Sequence, residues 1–329
     1  MALVATCLLA LAASQASQPE LIALRSAWTS GRACNVTIVI EDSVAINQRA
    51  SDGSVISIVG EGKHTWRQEH VDTWIAVEKD ALVGVRRRYA SARGTSRCKI
   101  GASEQIVEYP GSLDGVTVVH ESKRGRVEGR YEDRKPPRDT KFLQGHPMAT
   151  GLERLLSDTP VAPGAEWTFD AEDLHAALQL SHVPKVALHP WAESKQAGEK
   201  DLPRLGEGFA HDYEWTCSAK LQQAEVEVDG APCAVIALKA VGRSSAKSGG
   251  KDAAPNPDFE ARLEGSLTWD RRLQQPRKFQ MTGTLAGPPT SGELRRLDSA
   301  TRKQPLARVS NWSCTIEVQP TAPEQPRAK

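Results

Sequence analysis

The feature that most constrains this chain is a two-residue alternation of apolar and polar side chains, sustained over long runs. From Phe209 one face reads Phe209, His211, Tyr213, Trp215, Cys217, Ala219 and Leu221; the other reads Ala210, Asp212, Glu214, Thr216, Ser218 and Lys220. Successive side chains of a strand point to opposite faces, so the pattern predicts a long antiparallel strand with one wet face. Asp229-Gly230 is a two-residue hairpin signal, and Cys233 to Val241 is the returning strand. That return is apolar on both faces, which places it centrally in a sheet.

A second hairpin follows. Leu263, Gly265, Leu267 and Trp269 alternate with Arg262, Glu264, Ser266 and Thr268; after a polar turn containing Pro276, Phe279, Met281, Gly283 and Leu285 alternate with Lys278, Gln280, Thr282 and Thr284. The spacing predicts Trp269 and Phe279 as neighbours on the buried side. Trp312, Cys314, Ile316 and Val318 supply a last strand.

The N-terminal half is similar in style. Cys34, Val36, Ile38 and Ile40 share one face, and further extended segments are predicted over 21–28, 55–59, 71–77, 82–89, 116–120 and 127–131. Helical spacing occurs over 152–156 and 174–180, with Asp170 or Asp173 as the cap of the second helix. Pro160-Val161-Ala162-Pro163-Gly164 reads as a turn. The expected fold class is mainly β (α+β): long antiparallel strands in one or two curved sheets with a small helical insert. The expected division is a β-rich half over 17–146, the helical insert over 147–181, an antiparallel β half over 182–319 and a disordered tail over 320–329. Loops are expected over 135–139, 184–207 and 243–257.

Residues 1–16 carry a targeting signature. Ala2 to Ala13 is small or apolar apart from Thr6 and Cys7, and Ser14-Gln15-Ala16 is a small-x-small triplet of the kind signal peptidase cuts after. The run is shorter than the roughly 20 residues a bilayer-spanning helix needs. The expectation is a cleaved signal peptide and a secreted or periplasmic chain from Ser17. No Lys or Arg precedes the run, and two other readings stay open: a buried N-terminal element, or a lipid anchor at Cys7.

Basic and acidic residues number 42 and 41, so a net charge of +1 gives no electrostatic case for nucleic acid or an anionic membrane as partner. No second long apolar run exists, so no membrane span is expected in the mature chain. The cysteines lie at 7, 34, 98, 217, 233 and 314, too widely spaced for a redox CxxC or a compact zinc knuckle. Cys217 and Cys314 both fall on apolar strand faces, which leaves a bridge between neighbouring strands open.

The phrase Pro160-Val161-x-Pro163-Gly164-x-x-Trp167, followed by a short helix and by long strands ending near Leu263-Glu264-Gly265-Ser266-Leu267-Thr268-Trp269, resembles a group of exported bacterial proteins of unknown activity. The region Ala23-Leu24-Arg25-x-x-Trp28-x-x-Gly31 is similar to theirs in style. The resemblance implies a secreted β-rich protein and supplies no catalytic residues. Long antiparallel strands around a few helices are also similar, in fold style, to the half-barrels of periplasmic lipoprotein carriers; fold does not imply function.

No Walker loop, GxSxG elbow, HExxH, EF-hand loop or dinucleotide fingerprint is present, so no catalytic residue, metal ligand or cofactor is assigned. Glu172 and His175 have the spacing of a helix-borne metal pair, with His182 further along, but no second copy supplies the remaining ligands; an acidic helix start is the plainer reading. His211 points opposite to Asp212 and Glu214 on a strand, so these form no local triad. Arg86-Arg87-Arg88 is a candidate anion-binding cluster, against the alternative of a charge-protected strand edge. Asn35-Val36-Thr37 and Asn311-Trp312-Ser313 match glycosylation acceptors within strand patterns.

Tyr213, Trp215, Trp269, Phe279 and Met281 line one side of the C-terminal sheet. They are core if helices cover that side, and an apolar ligand site if they do not. The expected function is a non-enzymatic binding protein of the envelope or extracellular space, with a lipid-like or other apolar ligand as partner. The alternatives are a structural module that binds envelope proteins and a metal-dependent hydrolase.

Overall fold

The computed structural model describes residues 20–101, 103–109, 113–132, 148–178, 209, 213–244, 259–289 and 291–321. The signal segment, His182, His211, Asp212, the tail beyond 321 and most of the three expected loops lie outside the described residues.

The strands are β1 (Ala33–Arg49), β2 (Val55–Glu78), β3 (Ala81–Ile100), β4 (Ser103–Tyr109), β5 (Thr117–Lys123), β6 (Arg126–Tyr131), β7 (Glu166–Phe169), β8 (Tyr213–Val228), β9 (Ala231–Ser244), β10 (Glu260–Asp270), β11 (Gln275–Gly287) and β12 (Leu306–Thr321). They form one antiparallel sheet of 12 strands, in the order β6-β5-β3-β2-β1-β12-β11-β10-β9-β8-β7, with β4 pairing β3 as well. Segments 55–59 and 71–77 belong to one strand of 24 residues, because Gln68, His70 and Asp72 hold the inward positions that the apolar pattern leaves blank. The edges β6 and β7 are short and do not pair with each other, so the sheet is not closed.

Two-residue turns set the registers. Lys79-Asp80, Arg124-Gly125 and Asp229-Gly230 all have both residues at positive φ, the geometry whose twist matches a hairpin. β9 lies between β10 and β8, in line with its apolar faces. Phe279 stands opposite Leu267, while a bulge places Trp269 opposite Pro276; the expected aromatic pair is therefore offset, though both rings are buried.

The sheet is tightly curled. Tyr213 on β8 donates its hydroxyl hydrogen bond to the Ala286 carbonyl on β11, three strands away. The Phe209 ring lies 5.2 Å from Trp312 of β12 and 6.2 Å from Trp215 of β8, joining two more distant strands. Glycine permits the closest backbone approach: a side chain at Gly283 would overlap the Arg262 carbonyl, and one at Gly265 the Gln280 carbonyl.

Three covers seal the inner face. Residues 20–32 form a strap: Ile22 bridges to Val161, Ala27 donates to the Gln274 carbonyl, Trp28 meets Trp74 edge-on at 4.9 Å, and Gly31 donates to the Trp74 carbonyl. Over the middle lie a 3-10 turn (Leu152–Leu155) and α1 (Ala171–Ala177), burying Leu152, Leu155 and Leu174. Asp170 occupies the expected cap position of α1 without a side-chain cap bond. At the far end α2 (Ser291–Arg296), with Leu297, packs with Ile46, Cys98, Ile100 and Leu306 in a small core of its own. Among the described residues no helix is long and apolar enough to cross a membrane.

Candidate functional site

The inner face is one apolar surface running from β2 to β9. Ile38 and Ile40 of β1, Ile316 of β12, Phe279 of β11, Leu267 of β10 and Ile236 of β9 follow one another across it, each at most 2% exposed. Of the five residues expected to line a ligand site, Tyr213, Trp269, Phe279 and Met281 are buried in this surface, while Trp215 is half-buried at its rim. Trp28 and Trp167 hold similar rim positions, and Trp167 donates its indole N–H to the Leu155 carbonyl of the 3-10 turn.

Around Trp215 lies an aromatic cluster. Tyr213 is 5.2 Å from Trp215, and His175 of α1 stands edge-on to Phe209 at 6.1 Å and to Trp215 at 6.3 Å. Burial lowers the His175 pKa below its ordinary value, and its Nε2 has no hydrogen-bond partner. Burial pushes the Tyr213 hydroxyl up to about 12. Glu172, the other half of the expected metal pair, points into solvent at 89% side-chain exposure and 3.9 Å from Arg154, so it does not join His175. Among the described residues no group of three His, Cys, Asp or Glu is placed to hold a metal ion.

The three candidate anion-binding arginines do not share a face. Arg87 points inward and is 1% exposed, whereas Arg86 and Arg88 point outward. Arg86 pairs with Glu132 at 2.7 Å. Strand alternation separates neighbours in sequence, so a run of three basic residues on a strand yields no common basic patch.

The inner face also carries two buried polar networks that the apolar pattern hides. In the first, Arg87 of β3 grips Asp72 of β2 through Nε at 2.7 Å and Nη2 at 2.8 Å. Burial alone would raise Asp72, but the guanidinium overrules it and holds the carboxyl well below the usual carboxylate range. His70 Nε2 lies 3.5 Å from Asp72, and His70 Nδ1 meets the Gln68 amide nitrogen at 3.1 Å. Burial lowers the His70 pKa, against the opposing pull of Asp72.

The second network lies beneath α2. Asp42, His64 and Ser96 stand in one row across β1, β2 and β3. Ser96 Oγ meets His64 Nδ1 at 2.7 Å, Ser310 donates to Asp42 at 2.6 Å, and Arg308 reaches Asp42 at 3.7 Å and Glu293 of α2 at 3.2 Å. Burial, reinforced by the Arg308 charge, pushes His64 down to about 4. Its Nε2 has no hydrogen-bond partner, so the row lacks the His–Asp bond that orients the base of a serine nucleophile.

The described cysteines, 34, 98, 217, 233 and 314, are all buried, and no disulfide joins any two of them. β8 and β12 are separated by three strands, so Cys217 and Cys314 are not on neighbouring strands and the bridge left open by the sequence does not form.

No family model matches the chain, and no curated protein matches it. Among solved structures it is similar to lipovitellin, in a study of lipid–protein interactions, at a TM-score of 0.42 and 7% identity over 92% of this chain and 26% of that one. An outer membrane channel from Pseudomonas putida F1 matches at a TM-score of 0.21 and 6% identity, covering 89% and 97% of the two chains. The InvG secretin β-barrel from Salmonella matches at 0.16 and 9%, covering 90% and 65%. The chain thus spans about a quarter of the lipovitellin chain it matches.

Proposed function

We propose that the inner face of the sheet binds an apolar, lipid-like ligand, and that the protein is a non-enzymatic binding protein of the cell envelope or extracellular space. The observation that carries this reading is the pairing of a long apolar face with short covers. A face that crosses most of a sheet of 12 strands is closed by a 3-10 turn of 4 residues, a helix of 7 residues and an irregular strap. Half-buried tryptophans 28, 167 and 215 stand where those covers meet the sheet. Concave, mostly apolar surfaces with a few placed polar groups are the usual form of small-molecule sites. A ligand enters by lifting a cover, and the aromatic rim keeps the opening apolar.

The test is native mass spectrometry of the mature protein, purified without detergent from a periplasmic or secreted fraction and then offered a lipid extract. The expected result is an added lipid-sized mass that leaves on denaturation and is lost in Trp215→Ala while the fold survives. A bare polypeptide mass both before and after lipid is added overturns the proposal. Trp269, 1% exposed, serves as the packing control: Trp269→Ala should lose stability by about 3–5 kcal/mol.

One feature favours a second reading, a protein-interaction module. Val55, Ile56 and Ile58 are 55%, 59% and 55% exposed at the start of β2, before the first β2–β3 pair at Gly60. A bare apolar strand edge is a template for another strand. Crosslinking at position 56 in the native envelope that recovers no partner removes this reading.

A further inference from the structure

One stretch of sheet edge is bare where the other edge strands are guarded by charge. β2 begins at Val55 but does not meet β3 until Gly60, so from Val55 to Val59 its only strand partner is β1. Gly101 of the β3–β4 turn donates to the Val59 carbonyl, which marks where the opening ends. Val55, Ile56 and Ile58 are three of the six large apolar side chains left exposed among the described residues. The edge strands differ. Glu104 and Glu108 flank Ile106 on β4, Arg126, Glu128 and Arg130 alternate along β6, and Glu166 of β7 is ion-paired with Lys220 at 2.7 Å. Charged side chains on an edge deter a stray strand. The β2 window has no charge and no proline.

The residues of the window name the strand that fits it. Val55-Ile56-Ser57-Ile58-Val59 reads the same in both directions. In an antiparallel pair centred on Ser57, Val55 of each copy faces Val59 of the other and Ile56 faces Ile58. Every cross-strand pair except the central serines is then apolar. A two-fold contact needs a surface that is its own complement, and a palindromic strand is one. The lengths also agree. The β2 of a second copy starts at Val55, after a turn over 50–54 that leads to its own β1, and Val55 is the residue set against Val59, the last open position. Asp52 and Glu61, the nearest acids, fall outside the paired residues; the same register sets them toward Gly62 and Gly53 rather than toward each other. The turn glycines that would lie end to end, Gly53 and Gly101, both have open space around them.

We infer that the β2 window pairs antiparallel with the same window of a second copy, across a two-fold axis through Ser57. This rests on the reading of the edge as a strand template and names the strand; it is independent of the apolar-ligand reading. Ile56 and Val59 are extra residues in the register against β1, and such bulges twist this end of β2. Strong twist suits a two-stranded ribbon better than an endless stack. Each copy has one such window, so the contact closes on itself and leaves no bare edge for a third copy. Unclosed, the same uncharged, proline-free run is an aggregation hazard. A window this short buries far less than the roughly 1,200 Å² of a stable interface, so the dimer is weak, with a Kd on the order of 100 μM.

The experiment is analytical ultracentrifugation of the full mature chain from about 1 μM to about 1 mM, a range that brackets the expected Kd. The expected result is a monomer that passes to a dimer and no further. Ile56→Lys should abolish the dimer, because position 56 faces Ile58 of the other copy on both sides of the axis. Adding Ile58→Glu to the same chain should restore it, since the register sets each lysine against a glutamate; Ile56→Lys with Ile58→Lys should not. Circular dichroism should show all three variants folded, because both side chains already lie in water. If any of them unfolds, Ser57→Cys decides: the two new thiols meet on the axis and should join under mild oxidation, the native cysteines being buried. A monomer throughout the range, association beyond the dimer, a dimer indifferent to Ile56→Lys, failure of Ile58→Glu to restore it, or no linked Ser57→Cys dimer overturns the pairing. Crosslinking at position 56 that recovers a different protein, with no dimer of the chain itself, overturns the pairing and leaves the edge reading standing. Neither a dimer nor a crosslinked partner removes both.

Discussion

Arg87 and Asp72 face each other across β3 and β2 and are joined by two parallel hydrogen bonds, both inside the apolar layer of the sheet. Breaking such a pair from one side strands the other charge, whereas replacing both partners by apolar groups need not. Asp72→Ala should therefore cost about 3–5 kcal/mol in a urea melt, and Asp72→Leu combined with Arg87→Met much less. Equal losses for the single and double variants would mean that the pair contributes more than its own neutralisation.

His64 predicts an acid-sensitive fold. Its pKa falls from 6.5 to about 4 on folding, so above pH 6.5 both states are neutral and the full stability is present. As the pH drops below 6.5 the unfolded chain takes up a proton that the folded chain refuses until about 4, and stability is lost across that window. Melting temperatures at pH 7.5 and pH 5 should differ, and His64→Gln should shrink the difference. His70 is shifted in the same direction and accounts for part of what remains.

Gly283 is placed where β10 and β11 come closest. A methyl group there would overlap the Arg262 carbonyl and crowd Leu263 at 2.7 Å, both on the partner strand. Gly283→Ala should lose about 2–3 kcal/mol by forcing the strands apart. Gly230→Ala, at a turn with nothing nearby, should cost only the strain of its positive φ, about 1 kcal/mol. Thermal melts of the two variants separate crowding from backbone strain.

The cysteines give a chemical readout of the core. Burial pushes the Cys34 thiol up to about 12, with Asp72 adding to it, and Cys217 up to about 11. Iodoacetamide at pH 8 should leave Cys34, Cys98, Cys217, Cys233 and Cys314 unmodified in the native protein and alkylate all of them in urea, as read by peptide mass spectrometry. Rapid native labelling at Cys217 would locate an opening beneath α1.

The sheet was legible wherever side chains alternate plainly. Trp312, Cys314, Ile316 and Val318 mark β12, and Asp229-Gly230 marks the β8–β9 turn, because period and turn chemistry are both local. Two things were not local. The Lys79-Asp80 turn takes positive φ at both positions without glycine, so nothing in the sequence joins β2 to β3 there. The inward positions of β2 are held by His64, Gln68, His70 and Asp72, which read as a wet face until Ser96 and Arg87 arrive from β3 to partner them.

The candidate site was visible only in part. Tyr213, Trp269, Phe279 and Met281 share the inner face as their alternation implies, but their burial depends on Leu152, Leu155 and Leu174, which come from the covering turn and helix. The segment 21–28, expected as a strand, makes only the Ile22–Val161 bridge and serves instead as the strap. Arg86, Arg87 and Arg88 are adjacent in sequence and divided in space, since each step along a strand changes sides.

The pairing of β1 with β12 has a consequence for how the chain reaches this form. These are the first and last described strands, and they meet at the centre of the sheet, from Ala33 opposite Thr321 to Gln48 opposite Leu306. A chain emerging N-terminus first therefore holds the whole length of β1 open along one side until nearly everything else has been made. Contacts so distant in sequence are slow to close, and an exposed strand in the meantime invites the wrong neighbour. The interval before β12 is made is therefore when β1 is most open to mispairing.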